Sequence, residues 1–300
     1  MFPFDILFDI TLYDILIGAG LLVCLLVFRK YADRLGLRAK LQNLVLFCSL
    51  AAVVVGYGCA VLMQSVYHWI DTGKFEITGA TFYGGLLGGA AAFLLIYFIG
   101  GRYAYRGTAV PDYTKRKFFR VADIAACSIT VAHGFGRLGC LMAGCCYGIV
   151  SETKTWYTFS FKLINDQNKV IGHRYALPTQ LLEALFLFAL FWWLSRRVLR
   201  GKTYNLQLYM VSYGVWRFLI EFLRADYRGK TIVPFLTPSQ LIAILLIAGG
   251  VVLYYVEKKY GEKHPESLCD DPVPGEEQMK GSAAATADAS DGGKDGTADV

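Results

Sequence analysis

Positive charge is missing from the start of this chain. The first basic residue is Arg29, and Asp5, Asp9 and Asp14 stand where a secretory leader would carry lysine or arginine. No cleavable signal peptide is expected on that pattern, and the first apolar stretch is expected to stay with the protein. Zinc-type cysteine spacing is missing too. Of the eight cysteines, Cys24, Cys48, Cys59 and Cys127 lie inside apolar runs and read as small buried hydrophobes. Cys140, Cys145 and Cys146 match no common zinc pattern, and only His133 lies near them in the sequence. A disulfide on an oxidising face or plain packing is the expectation there, with no metal and no cofactor. No inverted repeat of broken helices is apparent, which disfavours a transporter.

What is abundant is apolar surface. The chain is 55% hydrophobic and 15% aromatic over 300 residues, against about 45–50% apolar in soluble domains. Apolar runs of near-spanning length recur, and a bilayer core of about 30 Å needs about 20 such residues in a helix. These runs predict an all-α membrane protein with seven transmembrane helices, near residues 12–28, 43–64, 81–100, 121–141, 181–198, 205–223 and 238–256. The formal charge of +6 does not point to nucleic acid, because the lysines and arginines lie in loops between spans. The loops after the first, third and fifth spans are basic, whereas the loop after the second holds only Lys74. The positive-inside rule then places the N-terminus outside and the C-terminus in the cytoplasm, although Arg224, Arg228 and Lys230 blur the alternation. Residues 144–180 are expected outside, where Trp156, Tyr157, Phe159 and Phe161 alternate as in a small strand or hairpin. Residues 1–260 are read as the membrane domain. Residues 261–300, rich in Gly, Ala, Asp and Glu, are read as a disordered tail.

Four clusters carry the candidate chemistry. Tyr213, Arg217 and Glu221 are spaced four apart with Arg224 three later, so they share one helical stripe. Such an Arg–Glu pair is either a structural ion pair or an anion-binding Arg held by Glu. The functional reading is favoured, because leucine would cost a merely structural helix less. The second cluster is HGFGRLGCLMAGCCYG, residues 133–148. Its glycines around Arg137 read either as a tight turn with a snorkelling Arg or as a Gly-rich break that cradles a phosphate through backbone N–H groups. The third, GATFYGGLLGG at residues 79–89, places Tyr83 at the outer end of the third span, where an aromatic-belt role is the plain alternative. The fourth, LPTQLLEA at residues 177–184, places Gln180 and Glu183 at the start of the fifth span, with Thr179 as a possible helix cap.

In this order the pieces resemble the prolipoprotein diacylglyceryl transferases of bacterial inner membranes, from about Tyr13 to about residue 256. The closest match is the Gly-Arg-x-Gly signature, here Gly136, Arg137, Leu138 and Gly139, closing at Gly148. Tyr213, Gly214, Arg217 and Glu221 are similar to the family's Tyr-Gly…Arg…Glu helix, and Pro178, Gln180 and Glu183 to a Pro-x-Gln-x-x-Glu segment. Asp123 matches an acidic residue entering the signature helix, and Tyr13 a tyrosine of the first span. The chain departs where the family usually has His, here Tyr83, where it has Asn, here Cys140, and where it has Glu, here Cys145. It looks like a cysteine-bearing branch with Gly-Cys-Cys-Tyr-Gly, residues 144–148.

The resemblance implies transfer of a diacylglyceryl group from phosphatidylglycerol to the cysteine thiol of a lipobox in a prolipoprotein signal peptide, at the bacterial plasma membrane. It implies Arg137, Arg217, Glu221, Tyr83 and Tyr213 as the catalytic group, with Tyr13, Asp123, Cys140, Cys145, Gly148, Gln180 and Glu183 around the substrate. A phosphate leaving group calls for positive charge aimed at its oxygens, and the thiol must lose its proton to attack. With Tyr83 in place of His, the base is unassigned. The alternatives are a divergent member moving another lipid group, a non-catalytic lipid-binding protein and, with little support, a redox role for Cys145 and Cys146.

Overall fold

A computed structural model describes residues 5–7, 10–77, 79–107, 112–164, 170–224 and 236–264. A short antiparallel pair, β1 (Asp5–Leu7) and β2 (Ile10–Thr11), leads into α1 (Leu12–Arg34). Thr11 caps that helix by accepting from the Asp14 backbone N–H, while the Asp14 carboxylate accepts from the Thr11 N–H. This reciprocal arrangement satisfies two amide donors that the first turn leaves open. Then come α2 (Ala39–Thr72), α3 (Phe82–Leu95) and α4 (Phe118–Ala143). A π-helical turn at Ile96–Gly100 and one further helical turn, Gly101–Ala104, extend α3. After a small sheet follow α5 (Thr179–Val198), α6 (Asn205–Ile220) and α7 (Pro238–Lys263).

Five of these helices are long and apolar enough to cross a membrane: α1, α2, α3 with its extension, α4 and α7. Their outer faces carry exposed aliphatics and aromatics such as Leu22, Leu26, Phe47, Val54, Ile70 and Leu245. That is the face a helix shows to lipid. The expected fifth and sixth spans are helical as α5 and α6, but they fall short of the other five. The 16 residues of α6 rise only about 24 Å, and the helix tightens to a 3-10 turn at Glu221–Leu223. Charged and amide side chains at Gln180, Glu183, Arg196 and Arg197 dilute the apolar run of α5.

The helices pack in pairs, α1 on α4, α2 on α3, α4 on α5 and α6 on α7, with α4 also touching α6. α4 is the most buried of the five long apolar helices, so polar side chains on it face protein. The main apolar core gathers at the end where α1 finishes and α4 begins, around Leu35, Leu41, Tyr97, Tyr105, Tyr113, Ile124 and Leu194. Of the four cysteines expected as packing residues, Cys48 and Cys127 are buried in this core, while Cys24 and Cys59 are half-buried elsewhere on their helices.

The segment after α4 forms a three-stranded antiparallel sheet, β3 (Val150–Ser151), β4 (Phe159–Ile164) and β5 (Val170–Ala176), in the order β3-β5-β4. Phe161, Ala176 and Leu141 close a second small core between it and α4. The alternation predicted a strand or hairpin, and a hairpin with one added strand is present. α7 runs to Lys263; the tail read as disordered falls, from residue 265 to 300, outside the described residues.

Candidate active site

Arg137 sits one and a half turns before the end of α4. The glycine-rich break that one reading of the motif allowed is absent. α4 runs unbroken from Phe118 to Ala143 and ends only where Gly144 turns left-handed at φ 74°. The amides around Arg137 are therefore spent on the helix and cannot cradle a phosphate, so anion binding falls to side chains. The signature glycines serve packing instead. A Cβ on Gly139 would stand 3.0 Å from the Tyr13 ring, which lies against that face of α4.

Arg137 is paired across the bundle. Its Nη2 lies 3.1 Å from Glu183 Oε1 on α5. It also donates to the Tyr213 hydroxyl of α6 at 3.4 Å, and that hydroxyl donates to Glu183 Oε1 at 2.9 Å. Glu183 is wholly buried, and a buried carboxylate is tolerable only with such partners. It is thus an ion-pair partner rather than a helix cap. Thr179 does not cap α5 either: its hydroxyl donates to the Cys146 carbonyl at 3.0 Å. Gln180, also wholly buried, donates to the Cys145 carbonyl.

The second arginine forms the expected local pair. Arg217 Nη2 lies 2.8 Å from Glu221 Oε2, the i,i+4 contact that one helical stripe allows. Two residues at the start of α7, which the motifs did not single out, complete it. Arg217 Nη2 donates to Ser239 Oγ at 2.9 Å, and Thr237 Oγ1 donates to Glu221 Oε1 at 3.0 Å. The Thr-Pro-Ser-Gln run shows a capping box that was legible in the sequence; its reach to Glu221 was not. Arg224 Nε stands 3.9 Å from Glu221 Oε2. His133 was also passed over as a site residue. It lies one turn before Arg137, its Nδ1 3.2 Å from the Tyr209 hydroxyl and its ring edge-on to Tyr213. Both Arg137 and Arg217 lie within electrostatic reach of His133, Glu183 and Tyr213. The two guanidinium groups thus lie near one polar cluster.

Gly148 joins the two halves. Its N–H donates to the Leu177 carbonyl at 2.8 Å, the Ile149 N–H donates to Leu223 at 3.0 Å, and Gly148 bridges to Arg224 as an isolated β-pair. A Cβ at Gly148 would come 2.5 Å from the Leu223 oxygen, so only glycine permits this approach.

Beside this bridge the Cys140, Cys145 and Cys146 thiols gather, all three sulfurs within 4.8 Å of one another. Hydrogen bonds with Cys140 and then Cys145 hold the Cys146 thiol far below its ordinary range, and Arg224 adds to this. The same sulfur contacts, Cys140 first, push Cys145 upward.

One expected site residue lies elsewhere. Asp123 stands 14 residues before Arg137 on α4, about 21 Å along the axis. Its Oδ1 accepts from the Asn205 and Leu206 backbone N–H groups at 2.6 and 3.0 Å. It anchors the N-terminus of α6, where a carboxylate is favoured by open amides and the helix dipole. Tyr83 stands at the start of α3, which packs chiefly on α2, and it is 40% exposed.

Comparison with known proteins settles the family. The family model described as prolipoprotein diacylglyceryl transferase matches residues 2–256. The chain belongs to the prolipoprotein diacylglyceryl transferase family. It is 31% identical over 264 residues to the phosphatidylglycerol–prolipoprotein diacylglyceryl transferase 2 of Clostridium perfringens, covering 84% of this chain and 92% of that one. It is 30% identical over 258 residues to the phosphatidylglycerol–prolipoprotein diacylglyceryl transferase of Geobacillus kaustophilus, covering 83% and 88%. To the enzyme of the same name from Pseudomonas putida KT2440 it is 27% identical over 224 residues, covering 73% and 77%. This family member is a membrane transferase.

Proposed function

We propose that this transferase moves the diacylglyceryl group of phosphatidylglycerol onto the cysteine thiol of a prolipoprotein lipobox. The substrates are those in the names of its relatives and of its family. The thiol loses its proton, its sulfur forms a bond to the glyceryl carbon, and the carbon–oxygen bond to phosphate breaks. Glycerol phosphate departs with that electron pair, and the product is a thioether. Positive charge placed beforehand at the departing phosphate stabilises the charge that develops there. In this reading Arg137 and Arg217 supply it, Glu183 and Glu221 hold their orientation, and Tyr213 links the first pair. Tyr83 is assigned to the phosphate and Tyr13, Gln180 and Gly148 to the walls of the substrate site.

The observation that carries this reading is the state of Arg217. Its Nη2 is engaged on both Glu221 and Ser239, while its Nη1 is buried without a hydrogen-bond partner among the described residues. A buried cationic donor of this kind is costly, and a phosphate oxygen would satisfy it. The family's chemistry and the basic loops support a bacterial plasma-membrane location with seven crossings, the N-terminus and the arginine cluster outside and the C-terminus cytoplasmic.

The test uses purified protein, phosphatidylglycerol vesicles and a lipobox peptide, with mass spectrometry of the peptide. Arg137→Ala and Arg217→Ala should each lower turnover at least about 10³-fold while the protein still folds. Near-normal turnover in both would refute the assignment.

A further inference from the structure

The three clustered thiols are not absorbed by the arginine chemistry. Their spacing in the chain, five residues and then one, conceals what the fold does with them. Cys140 opens the last turn of α4, Gly144 reverses the chain at φ 74°, and Cys145 and Cys146 fold back over Cys140. The turn is held from outside. Gln180 donates to the Cys145 carbonyl and Thr179 to the Cys146 carbonyl, and Cys146 is fixed at φ 62°. A left-handed backbone at a residue other than glycine needs such over-determination. Tetrahedral zinc with sulfur at about 2.3 Å sets its ligands about 3.8 Å apart. The observed limit of 4.8 Å closes to that by small side-chain rotations.

The place of the cluster matters as much as its shape. Cys140 lies one turn beyond Arg137 and within its electrostatic reach, and Cys146 is hydrogen-bonded to Arg224. Cys145 is solvent-exposed, so one side of the cluster is open to a ligand. Arg224 and Arg137 beside it would offset the excess negative charge of three thiolates around one divalent ion.

We propose that Cys140, Cys145 and Cys146 form a three-thiolate site for one zinc-type divalent cation, whose fourth position takes the incoming lipobox thiol as thiolate. This rests on the transfer reaction proposed above and answers its missing step. A thiol bound to zinc gives up its proton outright. The proton leaves to water, and the bound sulfur keeps the electron pair that forms the carbon–sulfur bond. The carbon–oxygen pair leaves with glycerol phosphate. No atom changes oxidation state through the metal. The chain thereby manages without the histidine that Tyr83 replaces.

The experiment uses the full chain purified in detergent under reducing conditions. Elemental analysis should find about one zinc per chain, and cobalt(II) added to metal-free protein should give sulfur-to-cobalt charge-transfer absorption. Cys140→Ser, Cys145→Ser and Cys146→Ser should each lose both signals, with Cys24→Ser as the unaffected control. A cysteine lipobox peptide should alter the cobalt spectrum, and the same peptide with serine should not. Chelation should lower turnover about 10²-fold, and zinc should restore it. Absence of metal and of charge transfer, a disulfide between any two of the three cysteines in the active protein, or full turnover after chelation would each overturn the site or its role. Diacylglyceryl transfer by metal-free protein overturns this inference and leaves the proposed function intact. A cobalt spectrum that answers the cysteine peptide, without transfer from phosphatidylglycerol, upholds the site and overturns the proposed reaction.

Discussion

Glu183 has no exposure and touches both a guanidinium and a phenol. Its charge is what keeps Arg137 in the bundle. Removing one member of a buried ion pair typically costs about 3–5 kcal/mol, because the other charge is left uncompensated. Glu183→Gln should therefore lower the melting temperature in detergent and reduce turnover, with Arg137 loosened from Tyr213. A double change with Arg137→Met should recover stability and not activity. Unchanged melting in the single variant would show that the pair carries no load. Glu183 and Arg217–Glu221 also differ in how far the sequence reveals them. The Arg217 pair is local, four residues along one helix, so periodicity alone finds it. The Arg137–Glu183 contact joins positions on different helices, and helical periodicity carries no information about which helices meet.

At the level of elements, α4 and α6 are fastened at both ends by backbone groups. At one end Asp123 accepts the first amides of α6; at the other, Gly148 and Ile149 pair with Leu223 and Arg224. Asp123 looked like a site residue because it sits in the signature helix, and only the distance along that helix separates it from the chemistry. Asp123→Ala should cost about 2–3 kcal/mol from two lost bonds to a charged acceptor, read as earlier thermal unfolding, while the turnover of the folded fraction holds. A selective loss of turnover with unchanged melting would return Asp123 to the active site. The unbroken course of α4 shows why glycines mislead in apolar sequence. Inside a membrane helix they permit close packing, as at Gly139 against Tyr13, and they need not end the helix.

The whole molecule is a set of packed helix pairs with polar side chains turned inward and a small sheet at one end. Its apolar spans were readable from length and composition. The two helices that carry Glu183, Tyr213 and Arg217 are the ones that fall short as spans, α6 because it is short and α5 because charged and amide side chains dilute the hydropathy that marks a crossing. The positive-inside reading makes a claim on the whole chain. Single cysteines at Ser151 and Asp71, in a background lacking the natural cysteines, should react with a membrane-impermeant thiol reagent added outside intact cells. Cysteines at Arg34 and Lys202 should react only after lysis. The opposite pattern would invert the topology and place the arginine cluster at the cytoplasmic face.

The pairing at Gly148 has one more consequence. The Ile149–Leu223 hydrogen bond and the Gly148–Arg224 bridge set the gauge between the segment leaving the signature helix and the turn that bears Arg224. A turn pinned in this way should keep its opening fixed rather than bend around a bound headgroup. Changes in lipid preference should therefore map to the residues that pin it as well as to those that grip.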